Sequence, residues 1–325
     1  MRVFIAVDAF ADETQWRFLD RIVDKVADGW HDWQIENPKF IEETGWLDGF
    51  GRSWLRELFQ KAALAAGYPM QSGFSGKRVL VSSLVHESEA IQPQQAAEYV
   101  STPLAILMEN RFSDGGIFLN TVLDVLGPDE MNEQRKIAPN SICYDSPGGN
   151  GELPKLVVDY ARRAKAKGIP IRAVVFTDSD GTVPGEIQQK ARRVQQACEK
   201  EGLPCRILRK RTIENYIPDE VLDAWMPYPD YEKRRVVDAV KRLRPEQRDY
   251  YPMKKGLQLQ NASPTVQALY SGISEADRDE LSKGFGRDVI EKLRDFPQAL
   301  SAEVLRQRDG QGELDCLVKM IADAL

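Results

Sequence analysis

The sequence predicts an α/β fold built on a mostly parallel sheet, and three observations carry that prediction. Between residues 102 and 225, short apolar runs alternate with amphipathic stretches, the pattern of right-handed β-α-β crossovers. Acidic residues and a glycine cluster stand just after those runs, where open parallel sheets bind their ligands. The pattern changes on both sides, to a mixed α/β part over residues 1–101 and a mainly helical part over 226–325. A chain of 325 residues fits two or three such units, at roughly 100–200 residues per domain.

In the N-terminal part, Val3–Val7 reads as a short strand. Trp16, Leu19, Val23, Val26, Trp30 and Trp33 recur at helical spacing and predict one amphipathic stripe used for packing. Trp54, Leu55, Leu58, Phe59 and Ala62 mark a second helix, ended near Gly67 and Pro69. Lys77–Val81 is the next strand, and the Gly73–Lys77 segment before it lacks the GxxxxGK[ST] spacing of a phosphate loop. The chain therefore shows no ATPase signature of its own.

From residue 102 the strands are Leu104–Met108, Ser141–Tyr144, Ile171–Thr177 and Cys205–Leu208. The first runs into Glu109 and the second into Asp145-Ser146-Pro147-Gly148-Gly149-Asn150-Gly151. The third delivers Asp178-Ser179-Asp180-Gly181, and the fourth leads to Ile213-Glu214-Asn215-Tyr216-Ile217. Helices are expected over Ile117–Leu126, Leu153–Ala164 (capped by Gly168) and Gly185–Glu201. Beyond residue 225 the pattern is helical and polar, with Tyr228–Asp230 and Tyr250–Gly256 the most linker-like stretches.

Composition narrows the chemistry. The chain has two histidines, His31 and His86, so a centre needing several imidazoles is excluded and any metal site must be built from oxygens. The four cysteines show no CxxC pairing, the opening Met1–Asp8 is too short and too soon acidic for a signal peptide, and no apolar run is long enough to span a bilayer. A cytoplasmic location without membrane contact is the expectation. Magnesium or manganese prefers hard oxygen ligands, and four or five acids converging at strand ends would serve one or two such ions. Two ions can activate a nucleophile and stabilise a leaving oxygen in phosphoryl transfer. A glycine-rich turn before a helix can present N–H groups to phosphate.

These motifs resemble the TOPRIM domain, in the form found in OLD-family (overcoming lysogenization defect) nucleases. The likeness rests on Leu107–Asp114, on Gly148-Gly149-Asn150-Gly151, on Asp178-Ser179-Asp180 and on Ile213–Ile217, and covers residues 102–222. It implies a Rossmann-like core in which Glu109 is a metal ligand or general base and Asp178 and Asp180 ligate metal, with Asp114 and Glu214 completing a second ion's shell. It also implies a lysine after the last motif that stabilises the transition state, for which Lys254 and Lys255 are the candidates. Gly148 and Gly149 would let the backbone approach a phosphate. Where that family commonly has Glu-Gly, this chain has Glu109-Asn110, and the spacing to Asp114 is one residue longer. OLD proteins carry an ATPase module ahead of this domain. Here the resemblance implies a stand-alone form, a separate ATPase subunit as partner and an anti-phage defence setting. A second copy of the chain is a further partner left open.

The expected function is metal-dependent hydrolysis of nucleic acid, DNA favoured over RNA. Two other readings use the same residues. Val174–Val183 fits the first motif of haloacid-dehalogenase-like phosphatases, with Asp178 as nucleophile and Asp180 as general acid. That reading leaves Glu109 unexplained and finds no later strand ending in paired aspartates, since Asp288 and Asp295 sit in a helical pattern. The other is a non-catalytic binding module. Charge bears on the substrate: the formal net of −6 conceals +8 over residues 155–255 and −14 elsewhere. Arg209-Lys210-Arg211 and Lys233-Arg234-Arg235 are the candidate nucleic-acid contacts, and phosphate neutralisation by such residues gives salt-dependent affinity. Tyr250 and Tyr251 would either stack on bases or pack a hinge.

Overall fold

The computed structural model describes residues 1–48, 53–66, 77–84, 90–148, 151–226 and 231–325. His86, Gly149, Asn150, the Gly73–Gly76 segment and Tyr228–Asp230 lie outside the described residues. The fold is mixed α/β with a Rossmann-like core and a helical C-terminal region. Two four-stranded sheets carry it, and every strand pairing in them is parallel.

The first sheet holds β1 (Arg2–Ile5), β2 (Asp32–Ile35), β3 (Arg78–Val81) and β4 (Ala90–Ile91) in the order β2-β1-β3-β4. The second holds β5 (Leu104–Leu107), β6 (Ile142–Asp145), β7 (Ala173–Thr177) and β8 (Cys205–Ile207) in the order β6-β5-β7-β8. Both sheets therefore follow the same second-first-third-fourth order. Neither β2 nor β4 was legible as a strand. The tryptophan stripe is the reason for the first miss: the helix Trp16–Ala27 stops short of Trp30, and Trp33 lies in β2. Gly29 at φ +75° closes the helix, with Gly29 N–H donating to Val26 and Trp30 N–H to Lys25. That pairing is a left-handed helix cap, and the Ile137 side chain leaves no room there for a Cβ.

In the second sheet the side chains alternate between two apolar layers, as a strand buried on both faces requires. Leu104, Ile106, Val174 and Phe176 face one cluster, and Ala105, Leu107, Ala173 and Val175 face the other. The second layer is covered by the helices Leu153–Lys167 and Gln189–Glu201. This last helix begins at Gln189 rather than at the expected Gly185, because residues 185–188 are held as a loop by Gln188 N–H on Ser179 and Gly185 N–H on Tyr250. The first layer is covered by the helix ending in Leu126 and by the C-terminal helices, in a single cluster that runs from Leu104 to Leu325. The N-terminal sheet packs its own core of Val3, Ile5, Val79 and Val81 against the helices Trp16–Ala27 and Pro93–Val100. His31 is part of the seam: its Nε2 lies 2.9 Å from the Val100 carbonyl, and burial and Arg172 hold it down at about pKa 2.

Tyr250–Gly256 is not a linker. Tyr250, Tyr251, Met253 and Gly256 are buried, and the Tyr251 hydroxyl donates to Leu281 at 2.8 Å, so the two tyrosines pack and do not offer their faces to bases. The C-terminal helix Glu313–Ala324 is anchored through Glu313, which is 1% exposed. Its carboxylate accepts the Arg209 N–H at 3.0 Å and the Tyr216 hydroxyl and faces Arg206 at 3.5 Å. Glu313→Ala is expected to cost about 3–5 kcal/mol, since it strands buried donors. Asp315→Ala, which breaks an exposed pair with Arg306, should cost less than about 1 kcal/mol. Denaturant unfolding of the two variants checks the contrast.

Candidate active site

Acids that follow β5, β7 and β8 come together at one edge of the second sheet. Glu109 follows β5 by two residues, anchored by the fully buried Met108 before it. Its Oε1 accepts the Thr177 hydroxyl at 3.1 Å, and its Oε2 meets Lys190 Nζ at 2.5 Å. Asn110 caps the next segment, its Oδ1 accepting from the N–H groups of Phe112 and Ser113. That segment, Arg111–Leu119, is a π-helix and runs directly into the α-helix Asn120–Leu126. Asp114 lies in the first turn of this segment, near enough to raise the pKa of Asp178. Its Oδ2 accepts the Asn110 N–H at 3.0 Å and its Oδ1 the Ser113 hydroxyl at 2.7 Å.

After β7, the Ser179 hydroxyl donates to the Lys210 carbonyl at 2.8 Å and Asp180 N–H to Arg211 at 3.0 Å, which bends the chain back over the edge of β8. Asp180 is the one non-glycine residue at positive φ among the described residues, +51°. Such left-handed strain is held where the surroundings impose it, commonly at functional sites. Gly181 is required beside it, since a Cβ there would lie 2.3 Å from the Glu186 carbonyl. Asp178 Oδ1 accepts the Ile213 N–H at 3.0 Å, from the first turn of the helical segment Ile213–Tyr216.

Every residue of that segment has a task. Asn215 receives Thr212 N–H and donates to the Arg248 and Tyr251 carbonyls at 3.0 and 2.8 Å, which fixes the following helical region. Tyr216 packs on Phe118 and bonds Glu313. Glu214 is fully buried; its Oε1 is ion-paired with Lys254 Nζ at 2.8 Å, and its Oε2 has no hydrogen-bond partner among the described residues. The turn that carries Lys254 is locked from behind: Gly256, at φ +74°, abuts Ser282 and Gly284 so closely that a Cβ would sit 2.2 Å from the Ser282 carbonyl. Phe285 N–H on Met253 and Gly286 N–H on Lys254 complete the clasp.

The carboxylates feel one another. Burial first, then Asp114, Glu214 and Asp180, hold Asp178 well above the usual carboxylate range. Asp114 is raised to about 6 by burial, with Glu109 and Glu214 adding to it and its hydrogen bonds opposing. Burial and Glu109 raise Asp180, against Lys190 and Arg211. Lys254 loses stability as a cation by burial, yet Glu214, Asp178 and Asp114 more than restore it and raise its pKa.

Both candidate lysines are exposed on the turn, and Lys254 is the one that faces the acids, its Nζ 2.8 Å from Glu214 Oε1. Gly148, at φ +71°, has open space where a Cβ would stand. Lys210 does not serve as a surface phosphate contact: it is 5% exposed and ion-paired to Asp249 at 2.5 Å. Arg211 is half-buried at the crevice wall, and Arg209 is exposed but bonded to Gln311. Lys233, Arg234 and Arg235 are exposed on the helix Tyr231–Lys241, where Lys233 lies over Trp225 and the arginines face Asp238 and Glu280. Thr177 and Lys190 were not foreseen. Their signal was position alone: the last residue of a strand and the first turn of the next helix, both on the ligand edge of a parallel sheet.

The donor set suits a hard divalent cation in kind, being all carboxylate oxygen, with Glu214 Oε2 buried and without a hydrogen-bond partner among the described residues. As the side chains lie, no three His, Cys, Asp or Glu among the described residues stand close enough to hold an ion. Lys190 and Lys254 take up Glu109 and Glu214 instead.

Two outcomes follow from this geometry. Gly256→Ala should lower the melting temperature more than Gly148→Ala, because both meet the same positive φ but only the first meets a backbone clash. In metal-free protein, Asp114 binds its proton more tightly folded than unfolded. Its contribution to stability is therefore greatest below about pH 4 and is lost as pH rises through about 6. Asp114→Asn, whose amide can still accept from Asn110 and donate to Ser113, should be more stable than the parent at pH 7 and no more stable at pH 4. Thermal unfolding at the two pH values measures this.

No helix among the described residues is long and apolar enough to cross a membrane. Set against protein-family models, curated proteins and solved structures, the chain matches none.

Proposed function

We propose that the chain is a metal-dependent phosphodiesterase acting on nucleic acid, DNA before RNA, in the manner of the TOPRIM nucleases its motifs resemble. The observation that carries this reading is the gathering of Glu109, Asp114, Asp178, Asp180 and Glu214 round one crevice with Lys254 among them. Isolated acids at strand ends are common caps. Mutually repelling, partly buried acids are not retained for stability, and their usual use is to hold cations.

Glu109, Asp178 and Asp180 would hold magnesium or manganese, with Asp114 and Glu214 available to a second ion. When bound, such an ion supplies the Lewis acidity that activates water and screens the phosphoryl oxygens. A cation held by Asp178 and Asp114 would favour their ionised forms and offset the repulsion that raises their pKa values. Lys254, delivered by a rigid turn, neutralises charge that develops on the phosphoryl group. Gly148 leaves the backbone open to a phosphate. Lys233, Arg234, Arg235 and Arg209 lie on the exposed surface and would track the nucleic-acid backbone by exchanging their present weak partners for phosphates. Nucleotide control by a separate ATPase subunit, in anti-phage defence, is the setting this reading suggests.

Plasmid DNA and RNA are the substrates to try, with magnesium and manganese. Cleavage should be abolished by Glu109→Ala, and Lys254→Met should lower kcat by about 10²-fold. Hydrolysis of a generic phosphomonoester that survives Glu109→Ala would instead make the chain a phosphatase acting through Asp178 and Asp180. Binding without cleavage by either metal would make it a binding module.

A further inference from the structure

Lys190 sits in the first turn of the helix Gln189–Glu201, a turn that holds no acidic residue. A cation there opposes the helix dipole, at a typical cost of 0.3–1 kcal/mol, so the helix itself gives no reason for a lysine at this position. Its partner does: Nζ lies 2.5 Å from Glu109 Oε2, with both side chains partly exposed at 28% and 23%. The other Glu109 oxygen is held by Thr177 at 3.1 Å, so each oxygen of this carboxylate has a partner within the protein. Asp180, on the adjoining strand end, also feels the Lys190 charge. Lys190 thus serves the acids that follow both β5 and β7. Nothing in the TOPRIM-like motifs asks for it.

We propose that Lys190 is a positioning residue that acts as a tethered counter-cation: it keeps Glu109 and Asp180 ordered and competes with a divalent ion for Glu109, so that it sets the metal concentration at which the site loads. The inference rests on the metal-site reading above. The pair is short enough to orient Glu109 towards the crevice. It is also wet enough for the flexible lysine stem to swing away when a stronger cation arrives. Removing the lysine leaves the acids one positive charge poorer, which strengthens their attraction for a divalent ion.

The test is manganese binding to the full chain, followed by the electron paramagnetic resonance signal of free Mn²⁺, with no substrate present. Lys190→Met should bind Mn²⁺ about tenfold more tightly than the parent, as one unit charge at contact distance can supply. Lys190→Arg, which keeps the cation, should stay within about twofold of the parent on the same grounds. Parent-like or weaker binding by Lys190→Met overturns the inference while leaving the metal-site reading in place. Absence of Mn²⁺ binding by both the parent and Lys190→Met overturns the two together. Lys190→Gln, closer in polarity, repeats the measurement should the methionine variant not fold.

Discussion

Carboxylates that converge at the ends of parallel strands repel one another, and the energy of that repulsion grows as water is excluded from between them. In this protein the repulsion is offset by two lysines brought from different parts of the chain. Lys190 comes from the helix after β7 and meets Glu109; Lys254 comes from the helical region after the sheet and meets the buried Glu214. The placement of the π-helix, the loop at Asp180 and the turn at Gly256 all serve to hold the groups of this balance.

The helical region beyond residue 226 is part of the same machine. It closes one face of the second sheet with a continuous apolar cluster. It also grips the Ile213–Tyr216 segment through polar bonds: Asn215 to Arg248 and Tyr251, Tyr216 to Glu313, and the Asn215 carbonyl to Arg308, which also pairs with Asp249 at 2.8 Å. Lys210 belongs to this internal network and meets the same Asp249. Buried polar groups of this kind are costly when only partly paired, so the network imposes one relative position on the sheet and the helices. A position in register to within a side chain is what delivery of Lys254 to Glu214 demands.

The strands of the second sheet and the helix Leu153–Lys167 were legible because each satisfies a local rule. Apolar runs ended by acids or glycines are strand signals, and Gly168 in the left-handed conformation is a helix stop. The N-terminal sheet was half legible. β2 contains a single fully buried apolar residue, Ile35, and Trp33 fell by chance on the helical period of the preceding segment. Tyr250–Gly256 looked like a linker by its proline and glycine, whereas its glycine marks a close crossing of two backbone segments.

For the site, the sequence by itself determined which acids exist, their order along the chain and their place at strand ends, because an open parallel sheet sends the ends of its strands to one edge. It could not choose between Lys254 and Lys255, which differ only in the direction a turn points them. It also could not tell Lys210 from its neighbours, since burial by segments distant in sequence withdraws it from the surface. Nor could it find Lys190 or Thr177, whose role lies in a contact across strands and carries no motif. Those decisions belong to the tertiary structure, because a side chain's charge is local but its partner is whatever the fold brings within 3 Å of it.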